Sequence, residues 1–228
     1  MRRLLLLVGV VVLAAGCGGG GTTIETVTKT QTVTRTVTAP PPKTAVRLYF
    51  LRDGKVAPVA RGVTSTAPDG LLAALDAGPT EQERAAGLTT GAGGPTIAQQ
   101  VYTLSQFDPK KPVEVGGKSY TRADFEADTP AILVESPLPF AAVSSPLRVT
   151  GTADTFEATF DYDLLDPAGK VIAHNFVTAT SGSGTRGTFD VTIHFDAPNG
   201  VGKLVVYERS AANGAKIHVV EIPLTPAK

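Results

Sequence analysis

Apolar and polar positions alternate from Ala45 onward in a way that divides the chain into two differently built parts. Val46, Leu48 and Phe50 alternate with Arg47, Tyr49 and Leu51, and Asp53-Gly54 then turns the chain into Val56 to Ala60, which predicts a β-hairpin. The spacing changes at Gly70-Leu71-Leu72-Ala73-Ala74-Leu75, whose leucines recur at helical intervals until Gly78-Pro79 stops them. Thr80, with Glu83 three residues on, makes a capping box for a further short helix. After the glycine-rich run Gly91 to Gly94, a third helical stretch covers Ile97 to Phe107 and sets Ile97, Val101 and Leu104 on one face. Thr121 and Asp124 cap a helical turn that Asp128-Thr129-Pro130 ends. No long linker separates the two parts, so they are expected to abut in a fixed orientation.

From Ala131 the pattern is that of strands. Ile132 to Glu135 is the first, and Leu147 to Gly151 is apolar at alternate positions. Phe156 to Leu164 reads as the clearest strand, with Phe156, Ala158, Phe160, Tyr162 and Leu164 facing one way and Glu157, Thr159, Asp161 and Asp163 the other. Val171 to Thr180, the alternation through Phe189, Val191, Ile193 and Phe195, then Leu204 to Arg209 and Ile217 to Leu224 complete the set. Turns are expected at Asp166-Pro167-Ala168-Gly169 and Ala212-Asn213-Gly214. The predicted fold class is an α+β N-terminal part over residues 45–128 and an all-β sandwich of about seven strands over residues 130–226.

The first 44 residues are built differently. Arg2 and Arg3 precede an apolar run from Leu4 to Ala15, which is shorter than the roughly 20 residues needed to span a bilayer and has the layout of a secretory signal peptide. Leu13-Ala14-Ala15-Gly16-Cys17 resembles a bacterial lipobox. The resemblance implies that residues 1–16 are removed and that Cys17 carries the acyl chains that fix the protein to a membrane. From Thr26 to Thr38 every even position is threonine, with Val, Lys, Gln and Arg between, so neither face offers a good surface to bury. Ala39-Pro40-Pro41-Pro42 stiffens the end of this segment, and residues 17–44 read as an extended stalk of up to about 3.3 Å per residue. Its threonines permit O-glycosylation; a β-segment that recruits a partner strand is the alternative.

Two further resemblances rest on particular residues. Leu71-Leu72-Ala73-Ala74-Leu75 with Gly78-Pro79-Thr80, Gly87-Leu88-Thr89, and Gln100 through Phe107 resemble the GerMN-type domain of sporulation and spore germination, shortened between Thr90 and Thr96 where that family carries a pair of central strands. Glu135-Ser136-Pro137, Ser145 through Ala153, Phe156-Glu157-Ala158, Val206-Tyr207-Glu208 and Asn213-Gly214 resemble the immunoglobulin-like domain of bacterial spore germination. That family commonly places this domain after a GerMN-type one in surface lipoproteins, and it implies an immunoglobulin-like sandwich here.

Composition removes several function classes. The chain has 21 basic and 21 acidic residues, and loss of Arg2 and Arg3 with the leader leaves a slight acidic excess, so no nucleic acid or anionic lipid surface is implied as partner. With 1 cysteine and no tryptophan, the folded part has no disulfide and no obvious sugar-stacking platform. Ser183 sits in Gly182-Ser183-Gly184 without the strand-to-helix setting of a nucleophile elbow. His174, His194 and His218 lack metal-ligand spacing, and Leu164, Leu165 and Pro167 break any calcium-loop pattern through Asp161, Asp163 and Asp166. Gly91 to Gly94 lacks the context of a phosphate loop. No catalytic residue, cofactor or metal is assigned. Glu157, Tyr207 and Glu208 recur within the immunoglobulin-like resemblance and are the candidate interaction face; the plainer reading pairs Glu157 and Glu208 with arginines such as Arg148 or Arg209.

The expected protein is a non-enzymatic envelope lipoprotein, outside the cytoplasm on the outer face of the cytoplasmic membrane, acting as a binding or assembly module related by family to sporulation and germination. Its partners are the membrane, through Cys17, and an envelope protein or cell-wall polymer. The alternative is a peptidoglycan- or glycan-binding accessory of cell-wall enzymes.

Overall fold

The computed structural model describes residues 42–227. The leader, Cys17 and nearly all of the expected stalk lie outside the described residues. Residues 41 to 228 make one compact unit.

Two nine-residue strands, β1 (Thr44–Arg52) and β2 (Lys55–Val63), form an antiparallel hairpin in which Arg52 opposes Lys55. Asp53 and Gly54 at its tip adopt φ values of 50° and 76°, a left-handed pair suited to Asp-Gly. Both faces of this ribbon are covered, and the alternation in β1 decides by what. Val46, Leu48 and Phe50 pack on Leu71 and Leu75 of helix α1 (Pro68–Asp76) and on Leu88. Tyr49 and Leu51 turn the other way, onto Ala98 and Tyr102 of helix α3 (Ile97–Leu104) and onto Leu133 from the second part of the chain.

Helix α2 (Glu81–Ala85) starts on the expected capping box: Thr80 Oγ1 accepts from Glu83 N and Glu83 Oε2 accepts from Thr80 N, at 3.3 and 2.7 Å. A second box, Thr96 with Gln99, opens α3. On the face predicted for α3, Val101 is buried and Leu104 packs on the hairpin core, with Ala98 and Tyr102 covered as well, whereas Ile97 is 42% exposed. Phe107 lies beyond the helix end and is exposed. A small hairpin, β3 (Val113–Val115) and β4 (Lys118–Tyr120), turns on Gly116-Gly117, both at positive φ.

The second part is a two-layer sandwich. Strands β5 (Ile132–Ser136), β7 (Leu147–Ala153) and β10 (Gly187–Ile193) form one sheet in the order β10-β7-β5. Strands β8 (Thr159–Leu165), β9 (Val171–Thr178), β11 (Lys203–Arg209) and β12 (Lys216–Pro223) form the other in the order β12-β11-β8-β9. Between them lie Ile132, Val149, Phe160, Leu164, Phe189 and Leu204, with Phe160 and Phe189 edge-on at 4.9 Å. Two short segments, β6 (Ala142–Val143) and β13 (Thr225–Pro226), pair in parallel beside the sheets. Gly151 is required where β5 and β7 meet: a Cβ there would lie 2.0 Å from the Leu133 carbonyl oxygen and 2.8 Å from the Phe189 ring.

The expected strand from Phe156 is shorter at its start. Phe156–Ala158 is a 3-10 turn, with Glu157 and Ala158 at φ 53° and 58°, and Phe156 is 57% exposed. Alternation resumes at Phe160, Tyr162 and Leu164, all buried. The turn exists because the neighbouring loop binds it: Ser183 Oγ accepts from Glu157 N at 3.0 Å and Ser183 N donates to the Thr155 carbonyl at 2.9 Å.

Candidate functional site

Polar side chains far apart in sequence converge where the 3-10 turn Arg122–Asp128 joins the hairpin to β5. The turn is capped as expected, Asp124 Oδ2 accepting from Thr121 N at 2.7 Å, and this presents Arg122 inward. Arg122 Nε donates to Ser105 Oγ at 2.9 Å, Nη1 to Glu135 Oε1 at 2.8 Å, and Nη2 to the Tyr49 hydroxyl and the Tyr102 carbonyl, each at 3.3 Å. The guanidinium also lies over the Tyr102 and Tyr49 rings, 4.5 and 5.3 Å from their centroids. The Tyr49 hydroxyl donates to Glu135 Oε1 as well.

Electrostatics follow from this packing. The Arg122 and Glu135 side chains are only 10% and 11% exposed. Burial pushes the Glu135 carboxyl up, but the charge of Arg122 and the Tyr49 hydrogen bond outweigh it and hold the group below the ordinary carboxylate range. Burial, joined by the charge of Glu135, drives the Tyr49 phenol well above its usual value. A paired carboxylate and a protonated phenol offer neither base nor nucleophile. The cluster fastens β1, α3, the 3-10 turn and β5 to one another.

A cleft of about 220 Å³ lies where β2, β5 and β12 come together. Its walls include Val56 and Pro58 of β2, Ile132 and Val134 of β5, and Val220 and Ile222 of β12, with Arg52, Asp53, Lys55 and His218 among its polar residues. Arg52 Nη1 donates to the Glu221 carbonyl at 3.0 Å, and Lys55 Nζ donates to the Ala127 carbonyl. Arg52 Nε is buried with no hydrogen-bond partner among the described residues. An unpaired buried donor costs about 1–3 kcal/mol, more when charged.

The residues that the sequence marked as an interaction face are separated by burial. Glu157 is exposed on the 3-10 turn, whereas Tyr207 and Glu208 are 1% and 7% exposed. Glu208 instead accepts from Phe156 N at 3.0 Å and pairs with His218 Nδ1 at 2.8 Å, tying the turn to β12. Tyr207 lies beneath Lys216, whose Nζ is 3.9 Å from the ring centroid, and Arg209, 5.4 Å away. The expected arginine pairings also differ: Arg148 meets Asp190 and Arg209 meets Asp161, because each pair faces across adjacent strands.

His174 Nδ1 and Lys216 Nζ both lie 2.7 Å from Asp163, at its two oxygens. Burial raises the Asp163 carboxyl, and these two partners bring it below the ordinary range. Asp166 accepts from Lys170 N at 2.9 Å and so closes the turn predicted there. His194 lies just past β10 and is exposed. Among the described residues no group of three or more His, Cys, Asp or Glu side chains could hold a metal, and no helix is long and apolar enough to cross a membrane. The joint cluster and the cleft escaped sequence reading because their members lie up to 170 residues apart, as Arg52 and Ile222 do. Only the Thr121–Asp124 cap marked the place.

Residues 131–215 match the family model described as the immunoglobulin-like domain of bacterial spore germination. Comparison with curated proteins and with solved structures gives no match.

Proposed function

We propose that this chain is a non-enzymatic envelope lipoprotein in which acyl chains on Cys17 hold the protein at the outer face of the cytoplasmic membrane. Residues 17–43 act as the spacer, since Thr44 already opens β1, and the folded unit binds another envelope protein in a role related to sporulation or germination. The match over residues 131–215 supports the family link, and the GerMN-type resemblance of residues 45–128 accords with it.

The observation that carries the binding role is β9. It is an edge strand whose sequence, Val-Ile-Ala-His-Asn-Phe-Val-Thr, has no Lys, Arg, Asp, Glu or Pro. Phe176 on it is 62% exposed. Such an edge presents backbone donors and acceptors to an added strand, and proteins that need to prevent this place charges or proline there. The other edges are guarded: β12 carries Lys216, Glu221 and Pro223, β10 carries Asp190, and β5 lies against β2.

A photo-crosslinking residue in place of Asn175 should capture an envelope protein in intact cells, and Phe176→Lys should abolish the adduct. The same probe in place of Lys118 should give none. Failure to crosslink at position 175, with cosedimentation of the protein with purified sacculi, would replace this reading by binding to a wall polymer. Incorporation of labelled fatty acid into the wild type but not into Cys17→Ala checks the anchor separately.

A further inference from the structure

The cleft beside the hairpin tip carries chemistry that the edge-strand contact does not use, and the inference from it stands independently of that reading. Its walls are aliphatic, from β2, β5 and β12, while its polar side is dominated by the cations Arg52 and Lys55, with His218 nearby. Asp53 is the one carboxylate among its lining residues. Lys55 is engaged by the Ala127 carbonyl and His218 by Glu208, so neither is the unsatisfied member. Arg52 is: its one side-chain hydrogen bond among the described residues runs from Nη1 to the Glu221 carbonyl, and although its Nε is too buried to meet a ligand, its remaining terminal N–H groups are left for one. A guanidinium left in this way is matched by a planar two-oxygen anion.

Size narrows the class further. An apolar cavity of about 150 Å³ is enough to take benzene, and the volume here is about 220 Å³, which leaves room for a ring and a short tail. We propose that this cleft binds a compact apolar carboxylate, its head on the Arg52 guanidinium and its body against Val56, Ile132 and Ile222. A free acid and the C-terminal apolar residue of a peptide share this chemistry.

The test uses residues 41 to 228, which form one compact unit, and nuclear magnetic resonance titration with 3-phenylpropionate, N-acetyl-glycyl-phenylalanine and 2-phenylethylamine. Saturable shifts at the amides of Ile132, Val134 and Val220 are expected with one or both acids, and the stronger binder identifies the source as free acid or peptide terminus. The amine should leave those amides unmoved. Arg52→Met should weaken acid binding at least tenfold, and Arg52→Lys, which keeps the charge but not the planar fork, should weaken it several-fold while preserving the spectrum of the folded chain. No shift with either acid at millimolar concentration, equal response to acid and amine, or unchanged affinity in both variants would overturn the proposal.

Discussion

Arg122 shows how one side chain can carry a joint. It is hydrogen-bonded to Ser105, Glu135, Tyr49 and the Tyr102 backbone while stacked on two rings. Removing one partner of a buried ion pair leaves the other uncompensated, which costs about 3–5 kcal/mol. Arg122→Met should therefore lower unfolding stability by about that amount in urea, and the remaining Glu135 should then titrate higher. The pH dependence has a definite sign. The folded Glu135 carboxyl is depressed below its unfolded value of about 4.3, so its contribution is complete above that pH and is lost as pH falls through the folded value. Glu135→Gln should flatten the part of the acid unfolding profile below about pH 4.3, and an unchanged profile would refute the coupling.

At the scale of elements, the local signals in the sequence were strong and the long-range ones were silent. The Thr80–Glu83 box, the Asp53-Gly54 turn and the Phe160, Tyr162, Leu164 alternation each depend on neighbours within a few residues, and the structure contains all three. Extending that alternation back to Phe156 failed because Ser183, from a loop 26 residues away in sequence, binds the Glu157 amide and coils the chain. The buried positions of Tyr207 and Glu208 were hidden for a similar reason. Lys216, Arg209 and His218 cover or pair them only once β11 and β12 are aligned. Gly151 is a position that alternation alone treats as an ordinary strand residue, although the Leu133 carbonyl of the neighbouring β5 occupies the place of a Cβ. Gly151→Ala should cost about 1–3 kcal/mol through overpacking, read as a lowered midpoint in chemical denaturation. A wild-type midpoint would mean that β5 can move aside.

The whole unit is tied together across the boundary at residues 121–130. Leu133 of β5 is 2% exposed because Tyr49, Val56, Ala98 and Tyr102 surround it. Residues 41 to 228 should accordingly melt in a single transition, whereas residues 130–228 alone, with Leu133 uncovered and Glu135 deprived of Arg122, should melt at lower temperature. Equal melting temperatures would show that the two parts are energetically independent. The arrangement has a mechanical side. The hairpin grips the sandwich at its β5 and β12 margin, and β9 runs along the opposite margin of the β12-β11-β8-β9 sheet. A tug on whatever seizes β9 would pass across β8, β11 and β12 and through the joint at residues 121–130 to the β1–β2 hairpin.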